Sequence, residues 1–132
     1  MFYSSNSGGS WSQVNTELTS NYIFSLARSG TSIYAGRTNG VFLTANNGST
    51  WSAINTGINN FYVRAITING SNLFAGTEGN GVYLSVNNGN SWMAVNDGLL
   101  NKYVKSLSNN GTLVFAGTNR GYILRPLQQL QM

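Results

Sequence analysis

Apolar residues along this chain come in short runs, each closed by a cluster of Gly, Asn, Ser or Thr, and the same order returns three times. Trp11, Trp51 and Trp92 stand 40 and 41 residues apart. Tyr34-Ala35-Gly36, Phe74-Ala75-Gly76 and Phe115-Ala116-Gly117 keep that step, as do Tyr22-Ile23, Tyr62-Val63 and Tyr103-Val104. Three markers in one register define an internal repeat of about 40 residues.

The middle copy predicts four short strands. Residues 62–68, rich in β-branched side chains, form strand A and end at Asn69-Gly70, a pair that tolerates the positive φ of a type I′ hairpin turn. Residues 73–77 form strand B, 82–86 strand C after a glycine-containing loop, and 92–96 strand D. Alternation within them is partial, as strands covered on both faces require. Only the tail from Leu127 to Met132 has a helix-forming composition. Four antiparallel strands per period predict an all-β fold made of β-propeller blades.

Aligned in register, the copies begin and end partway through a blade. Met1-Phe2-Tyr3 matches Val41-Phe42-Leu43, so residues 1–121 read as three repeats in the order CD, ABCD, ABCD, AB. Residues 122–132 read as a closing strand and tail, because Gly121-Tyr122-Ile123-Leu124 matches strand C again. Unpaired strands at both ends are open edges. Propellers usually have four to eight blades. The expectation is therefore a homodimer, the AB pair of one copy joined to the CD pair of another, that closes a six-bladed ring. Either Met1-Phe2-Tyr3 or Tyr122-Ile123-Leu124 must then give way at each junction. A piece of a longer propeller is the alternative.

The octapeptides that end in tryptophan carry a family resemblance. Ser4-Ser5-Asn6-Ser7-Gly8-Gly9-Ser10-Trp11, Thr44-Ala45-Asn46-Asn47-Gly48-Ser49-Thr50-Trp51 and Ser85-Val86-Asn87-Asn88-Gly89-Asn90-Ser91-Trp92 resemble the Asp-box, or BNR repeat, of sialidases, sortilin-type receptors and photosystem-assembly propellers. Asn6, Asn46 and Asn87 stand where that family has Asp. The resemblance implies a structural turn: the polar side chain closes it through backbone N–H groups, Gly8, Gly48 and Gly89 supply a positive φ, and Trp11, Trp51 and Trp92 pack between sheets. A neutral amide in place of the carboxylate argues against a calcium-binding variant. The segment Tyr122-Ile123-Leu124-Arg125-Pro126-Leu127 resembles the closing segment of bacterial Asp-box propellers, where the proline ends strand pairing; the compartment is left open, a secreted or cell-surface bacterial parent protein being one expectation.

Composition narrows the chemistry. The chain has neither Cys nor His, which excludes Ser-His-Asp and Cys-His catalysis and the common zinc sites. Neither a metal nor a cofactor is expected. Its acids are Glu17, Glu78 and Asp97. Sialidases use a tyrosine nucleophile, an acid/base aspartate and three arginines, and Arg28, Arg37, Arg64, Arg120 and Arg125 fall in no such constellation. A sialidase-like glycosidase is a remote alternative to a chain that is not an enzyme. The net charge of +4 is spread over 132 residues without a basic stripe, so nucleic acid is not an expected partner. No apolar run approaches the roughly 18 residues of a membrane span, and the first residues lack the pattern of a signal peptide.

A binding face remains. In a propeller the D-to-A and B-to-C loops emerge together at one end of the central channel. Those loops hold Asn60, Tyr62, Lys102, Tyr103, Arg37 and Arg120, and strand A begins with Arg64 in the second copy and Lys105 in the third. These residues are the candidate ligand site. Cations and amides suit a carbohydrate or small anionic ligand, and aromatic rings suit the apolar face of a sugar. A protein-interaction scaffold without its own small ligand is the other expectation.

Overall fold

The structure, a computed structural model, describes residues 1–14, 22–58, 61–119 and 121–126. It is all-β: among the described residues there is no helix, and every sheet is antiparallel. A two-stranded hairpin pairs β1 (Phe2–Tyr3) with β2 (Ser12–Gln13). The first four-stranded blade runs β3 (Ile23–Ser29), β4 (Ser32–Arg37), β5 (Gly40–Thr44), β6 (Ser52–Ala53). The second runs β7 (Val63–Asn69), β8 (Asn72–Thr77), β9 (Gly81–Ser85), β10 (Met93–Ala94). A three-stranded sheet follows, β11 (Val104–Asn109), β12 (Leu113–Thr118) and β13 (Gly121–Pro126). Each sheet is an up-and-down meander, and the first strands β3, β7 and β11 lie side by side where the sheets converge. These are propeller blades.

Two details differ from the sequence reading. The A–B hairpins turn one residue later than expected: Asn69 pairs with Asn72, and of the residues between them Gly70 alone has a positive φ, +61°. A single positive φ at the first central position is the type II′ pattern, whereas type I′ requires two. Strand D is also shorter, since β6 and β10 are two residues each. The residue that follows it, Ile54 or Val95, turns in to bond the blade's own strand C through Val41 or Val82.

The expected competition at the chain ends has a definite form. β13 pairs with β12 over six positions, from Leu113↔Pro126 to Thr118↔Gly121, while β1 pairs with β2 alone. The third blade therefore takes its strand C from its own chain. The tail 127–132 lies outside the described residues.

Burial follows the interfaces between blades. Tyr34, Val41, Ile58, Val63, Leu73 and Trp92 form a core between the first and second blades. Phe74, Val82, Leu99, Val104, Val114 and Ala116 form a second core between the second and third. Adjacent sheets come close enough that small residues are needed on the B strands: a Cβ on Gly76 would sit 2.6 Å from Val104 Cγ1.

Candidate functional site

The three tryptophan turns share one hydrogen-bond plan. In the second, Asn46 Oδ1 accepts from the Thr50 N–H at 3.0 Å and from the Thr44 hydroxyl at 2.9 Å, and Asn46 Nδ2 donates to Thr50 Oγ1 at 2.8 Å. Thr44 Oγ1 in turn accepts from the Gly48 N–H at 2.9 Å. The first and third turns repeat this through Asn6 with Ser4 and Ser10, and through Asn87 with Ser85 and Ser91. Two consecutive positive φ values close each turn, at Ser7-Gly8, Asn47-Gly48 and Asn88-Gly89. Trp51 and Trp92 are buried at 7% and 6% exposure, whereas Trp11 is 62% exposed. The difference is positional, because a turn packs its indole on the preceding blade and the first turn has no blade before it among the described residues. These turns are frame, and they hold no reactive group.

The polar cluster lies where the inner strands begin. Each inner strand opens with a β-bulge: the register shifts between Ile23 and Ser25, between Val63 and Ala65, and between Val104 and Ser106. The residues skipped by the ladder are Phe24, Arg64 and Lys105, one equivalent position in three blades. A bulge frees its extra residue from the pleat and re-aims the side chain. The repeat thus presents a benzyl ring, a guanidinium and an ammonium at successive stations of one rim.

Arg64 is the centre of that rim. Its Nε donates to Glu78 Oε2 at 2.8 Å and its Nη2 to the Tyr103 hydroxyl at 3.3 Å. Its guanidinium carbon lies 4.5 Å from the centre of the Phe24 ring, a cation–π distance. Phe24 leans on Tyr62, with ring centres 6.2 Å apart. One side chain therefore joins three blades. Backbone bonds secure the frame: Glu78 N–H donates to the Tyr62 carbonyl at 2.9 Å, and the Gly79 and Gly81 N–H groups donate to the Lys102 carbonyl at 3.1 and 3.0 Å.

Electrostatics fix the charge states. Hydrogen bonding from Arg64, with a smaller part from Tyr103, holds the Glu78 carboxyl below the ordinary carboxylate value against a lesser opposing effect of burial. The hydrogen bond to Glu78 raises Arg64 in the same way. Glu78 is an ionised counter-charge, not a proton donor at neutral pH.

The sequence-predicted residues divide. Tyr62, Arg64 and Tyr103 are brought together, with Tyr62 47% exposed, and Lys102 and Lys105 are exposed beside them. Arg37 is displaced from the solvent-facing set: it is fully buried at the end of β4, its guanidinium 4.4 Å over the Phe42 ring, and burial lowers its pKa. It occupies the position held by Thr77 in the second blade, where the side chain points into the sheet and binds the B-to-C loop through the Gly81 carbonyl and Asn80 N–H. Asn60, Arg120 and Glu17 lie outside the described residues.

Phe24, which stands in the first copy where Arg64 stands in the second, and Glu78, in a B-to-C loop at the same end, were not counted among the candidate ligand residues, and a pair of clamps was missed. Asn55 Oδ1 accepts from the Val41 N–H at 2.7 Å while its Nδ2 donates to the Asn39 carbonyl, and Asn96 does the same with Val82 and Asn80. The signal was available, since Asn55 and Asn96 are separated by the repeat step. Among the described residues no group of three acidic side chains is placed to hold a metal ion.

Comparison with known proteins places the fold. No family model matches the sequence, and no curated protein matches it significantly. Solved structures do. An ancestral GH74 enzyme is similar over 93% of this chain with a TM-score of 0.77 at 22% identity. PorZ, a surface component of the type-IX secretion system of Porphyromonas gingivalis, is similar over 86% with a TM-score of 0.67 at 17% identity. The extracellular domain of BT4673 from B. thetaiotaomicron is similar over 90% with a TM-score of 0.69 at 17% identity. The chain spans about a fifth of each of these proteins, 19%, 19% and 18%. At such identities the likeness is one of fold: a stretch of propeller blades.

Proposed function

We propose that this chain is a non-catalytic propeller module that binds a polar, anionic or hydroxyl-rich ligand at the rim of the inner strands. The observation that carries this reading is Arg64, aimed by a bulge and held by Glu78, Tyr103 and Phe24 beside the exposed Tyr62, Lys102 and Lys105. A guanidinium whose Nε and Nη2 are already occupied is pre-oriented, so the ligand meets a fixed donor edge rather than a floppy side chain. The tilted Phe24–Tyr62 pair supplies an apolar surface of the kind a sugar ring uses. The turn geometry supports reading the tryptophan octapeptides as Asp-box turns with Asn for Asp, and Asn60 and Arg120 are proposed to extend the site.

Absence of catalysis belongs to the same proposal. Glycoside hydrolysis ordinarily needs one carboxyl protonated and a second ionised at a set separation. Of the three acids, Glu78 is committed to Arg64. The GH74 neighbour and the surface and extracellular neighbours favour a carbohydrate-related or surface role for a parent protein.

Glycan-array screening with neutral and acidic sugars, followed by calorimetry on any hit, tests the binding reading. Arg64→Ala and Lys105→Ala should each weaken the hit at least tenfold. Binding that survives both changes would move the site elsewhere. A protein-binding scaffold is the second reading, favoured by Leu100, 93% exposed next to Lys102. Capture of one defined protein that is lost on Leu100→Asp, with no glycan bound, would establish it instead.

A further inference from the structure

We infer that Asn69 is a site of covalent modification: of the chain's Asn-Gly pairs, the fold leaves this one open to cyclise onto its own backbone and become aspartate or isoaspartate. The pairs are Asn39-Gly40, Asn47-Gly48, Asn69-Gly70, Asn80-Gly81, Asn88-Gly89 and Asn110-Gly111, and all lie among the described residues. Glycine lacks the side chain that would hinder its own nitrogen as a nucleophile, so every pair carries the same local chemistry. Tertiary structure separates them.

The reaction balances with water as its one co-reactant. The Gly70 nitrogen gives up its proton and attacks Asn69 Cγ; a Cγ–N bond forms, the Cγ–Nδ2 bond breaks, and Nδ2 leaves with that proton as ammonia. Water then opens the five-membered imide. Opening at Cγ gives aspartate, and opening at the Asn69 backbone carbonyl carbon gives isoaspartate, whose main chain runs through the former side chain and is one carbon longer. Either product replaces a neutral amide with a carboxylate.

The glycine nitrogen decides which pair reacts, because an N–H that donates to a protein acceptor neither loses its proton readily nor turns towards Cγ. Gly48 N–H donates to Thr44 Oγ1 at 2.9 Å and Gly89 N–H to Ser85 Oγ at 2.8 Å, both buried, and Gly81 N–H donates to the Lys102 carbonyl at 3.0 Å. Those three nitrogens are held. Asn39 is closed another way: its Oδ1 is buried with no hydrogen-bond partner, so the negative charge that attack places on that oxygen would meet neither donor nor water. Gly111 N–H donates to Asn109 Oδ1 at 3.0 Å on an exposed hairpin tip, the weakest cover of the five.

Gly70 differs in each respect. It stands at the first central position of the two-residue turn between Asn69 and Asn72, outside the ladder, and no acceptor among the described residues is bonded to its N–H. A Cβ built on it would meet nothing within 4 Å, so the turn opens without moving a neighbour. The Asn69 carboxamide is lightly held, its Nδ2 reaching the Gly111 carbonyl at 3.5 Å, the outer limit of a hydrogen bond. The position also matters to the fold. Asn109 Nδ2 donates to Thr67 Oγ1 at 2.8 Å and to the Ile68 carbonyl at 3.1 Å, so a main chain lengthened at residue 69 disturbs the seam between the second and third blades.

The test incubates the folded chain in mildly alkaline buffer and follows every Asn-Gly pair by peptide mapping with electron-transfer fragmentation, which separates aspartate from isoaspartate. The free energy of one net hydrogen bond corresponds to about tenfold in rate, so Asn69 should convert at least ~10-fold faster than Asn39, Asn47, Asn80 and Asn88, with Asn110 between. In concentrated urea the rates should converge. Asn69→Gln should abolish the fast phase of ammonia release. Asn109→Ala removes the acceptor of the Gly111 N–H and, with the fold checked by circular dichroism, should bring Asn110 close to the rate of Asn69. Another pair converting as fast as Asn69 in the folded wild type, a fast phase that survives Asn69→Gln, an Asn110 rate unmoved by Asn109→Ala, or the same spread of rates in urea would each overturn the inference.

Discussion

The indole of Trp92 donates from one blade to the carbonyl of Ile54 in the blade before it, at 2.9 Å. The bond ties a side chain in a turn to a backbone group 38 residues earlier, and the ring that makes it is buried in the core between the first and second blades. Trp92→Phe keeps most of the ring and leaves the Ile54 carbonyl unpaired, which costs about 1–3 kcal/mol. Trp92→Ala adds a cavity and costs about 3–5 kcal/mol. Urea denaturation should rank wild type, Phe and Ala in that order. Equal midpoints for Phe and wild type would show that the bond contributes nothing.

Gly57 and Gly70 both have a positive φ, yet their surroundings separate them. At Gly70, φ is +61° and a Cβ would meet nothing within 4 Å, so Gly70→Ala costs only the left-handed backbone penalty of about 1–2 kcal/mol. At Gly57, φ is +101° and a Cβ would lie 2.5 Å from the Trp92 carbonyl oxygen, a backbone atom that cannot swing aside. Gly57→Ala should therefore cost about 1–3 kcal/mol more than Gly70→Ala, read as the difference between their thermal unfolding midpoints.

The turn amides should tolerate a carboxylate. Asn46 accepts from Thr50 N–H and the Thr44 hydroxyl, and an Asp oxygen could do both while its second oxygen accepts from the Thr50 hydroxyl. Asn46→Asp should stay within about 0.5 kcal/mol of wild type, and Asn46→Leu should lose about 1–3 kcal/mol. Ser7 sits at φ +58° where the other turns have Asn47 and Asn88. Since Asn accepts that conformation more readily, Ser7→Asn should raise the melting temperature slightly.

The Arg64–Glu78 pair should give the protein a small acid-sensitive term. Glu78 is held below its unfolded value, chiefly by Arg64, so its contribution is complete above the unfolded carboxylate range and is lost as the pH falls through the lower folded value. Both groups are part-exposed, which limits the pair to about 0.5 kcal/mol. Glu78→Gln should differ from wild type by that amount at pH 7, and the gap should narrow below about pH 4. A gap that is constant from pH 7 to pH 3 would show that the pair is idle.

Much of the fold was legible because the repeat marks every blade with the same punctuation. Trp51 and Trp92 with their turns, the Phe74-Ala75-Gly76 motif and the four strands per period all read from spacing. The candidate site was only half legible. Arg64 and Tyr103 were in the expected set, but Phe24 joins Arg64 from another blade, and no local pattern marks a partner that far along the chain; Glu78, in the same blade as Arg64 and 14 residues away, was left out of the set. Arg37 shows the opposite failure, where loop position suggested solvent and the Phe42 ring instead covers the guanidinium.

By itself the amino-acid order determined the blades, because a turn that needs two positive φ values and a strand that needs β-branched residues write their requirements into neighbouring positions. The tertiary structure alone decided which side chains meet: the bulges that turn out Phe24, Arg64 and Lys105, the strand that β12 accepts, and the contrast between buried Trp92 and exposed Trp11. Each of these depends on what the neighbouring sheet offers, and contact between sheets is a matter of distance in space rather than along the chain.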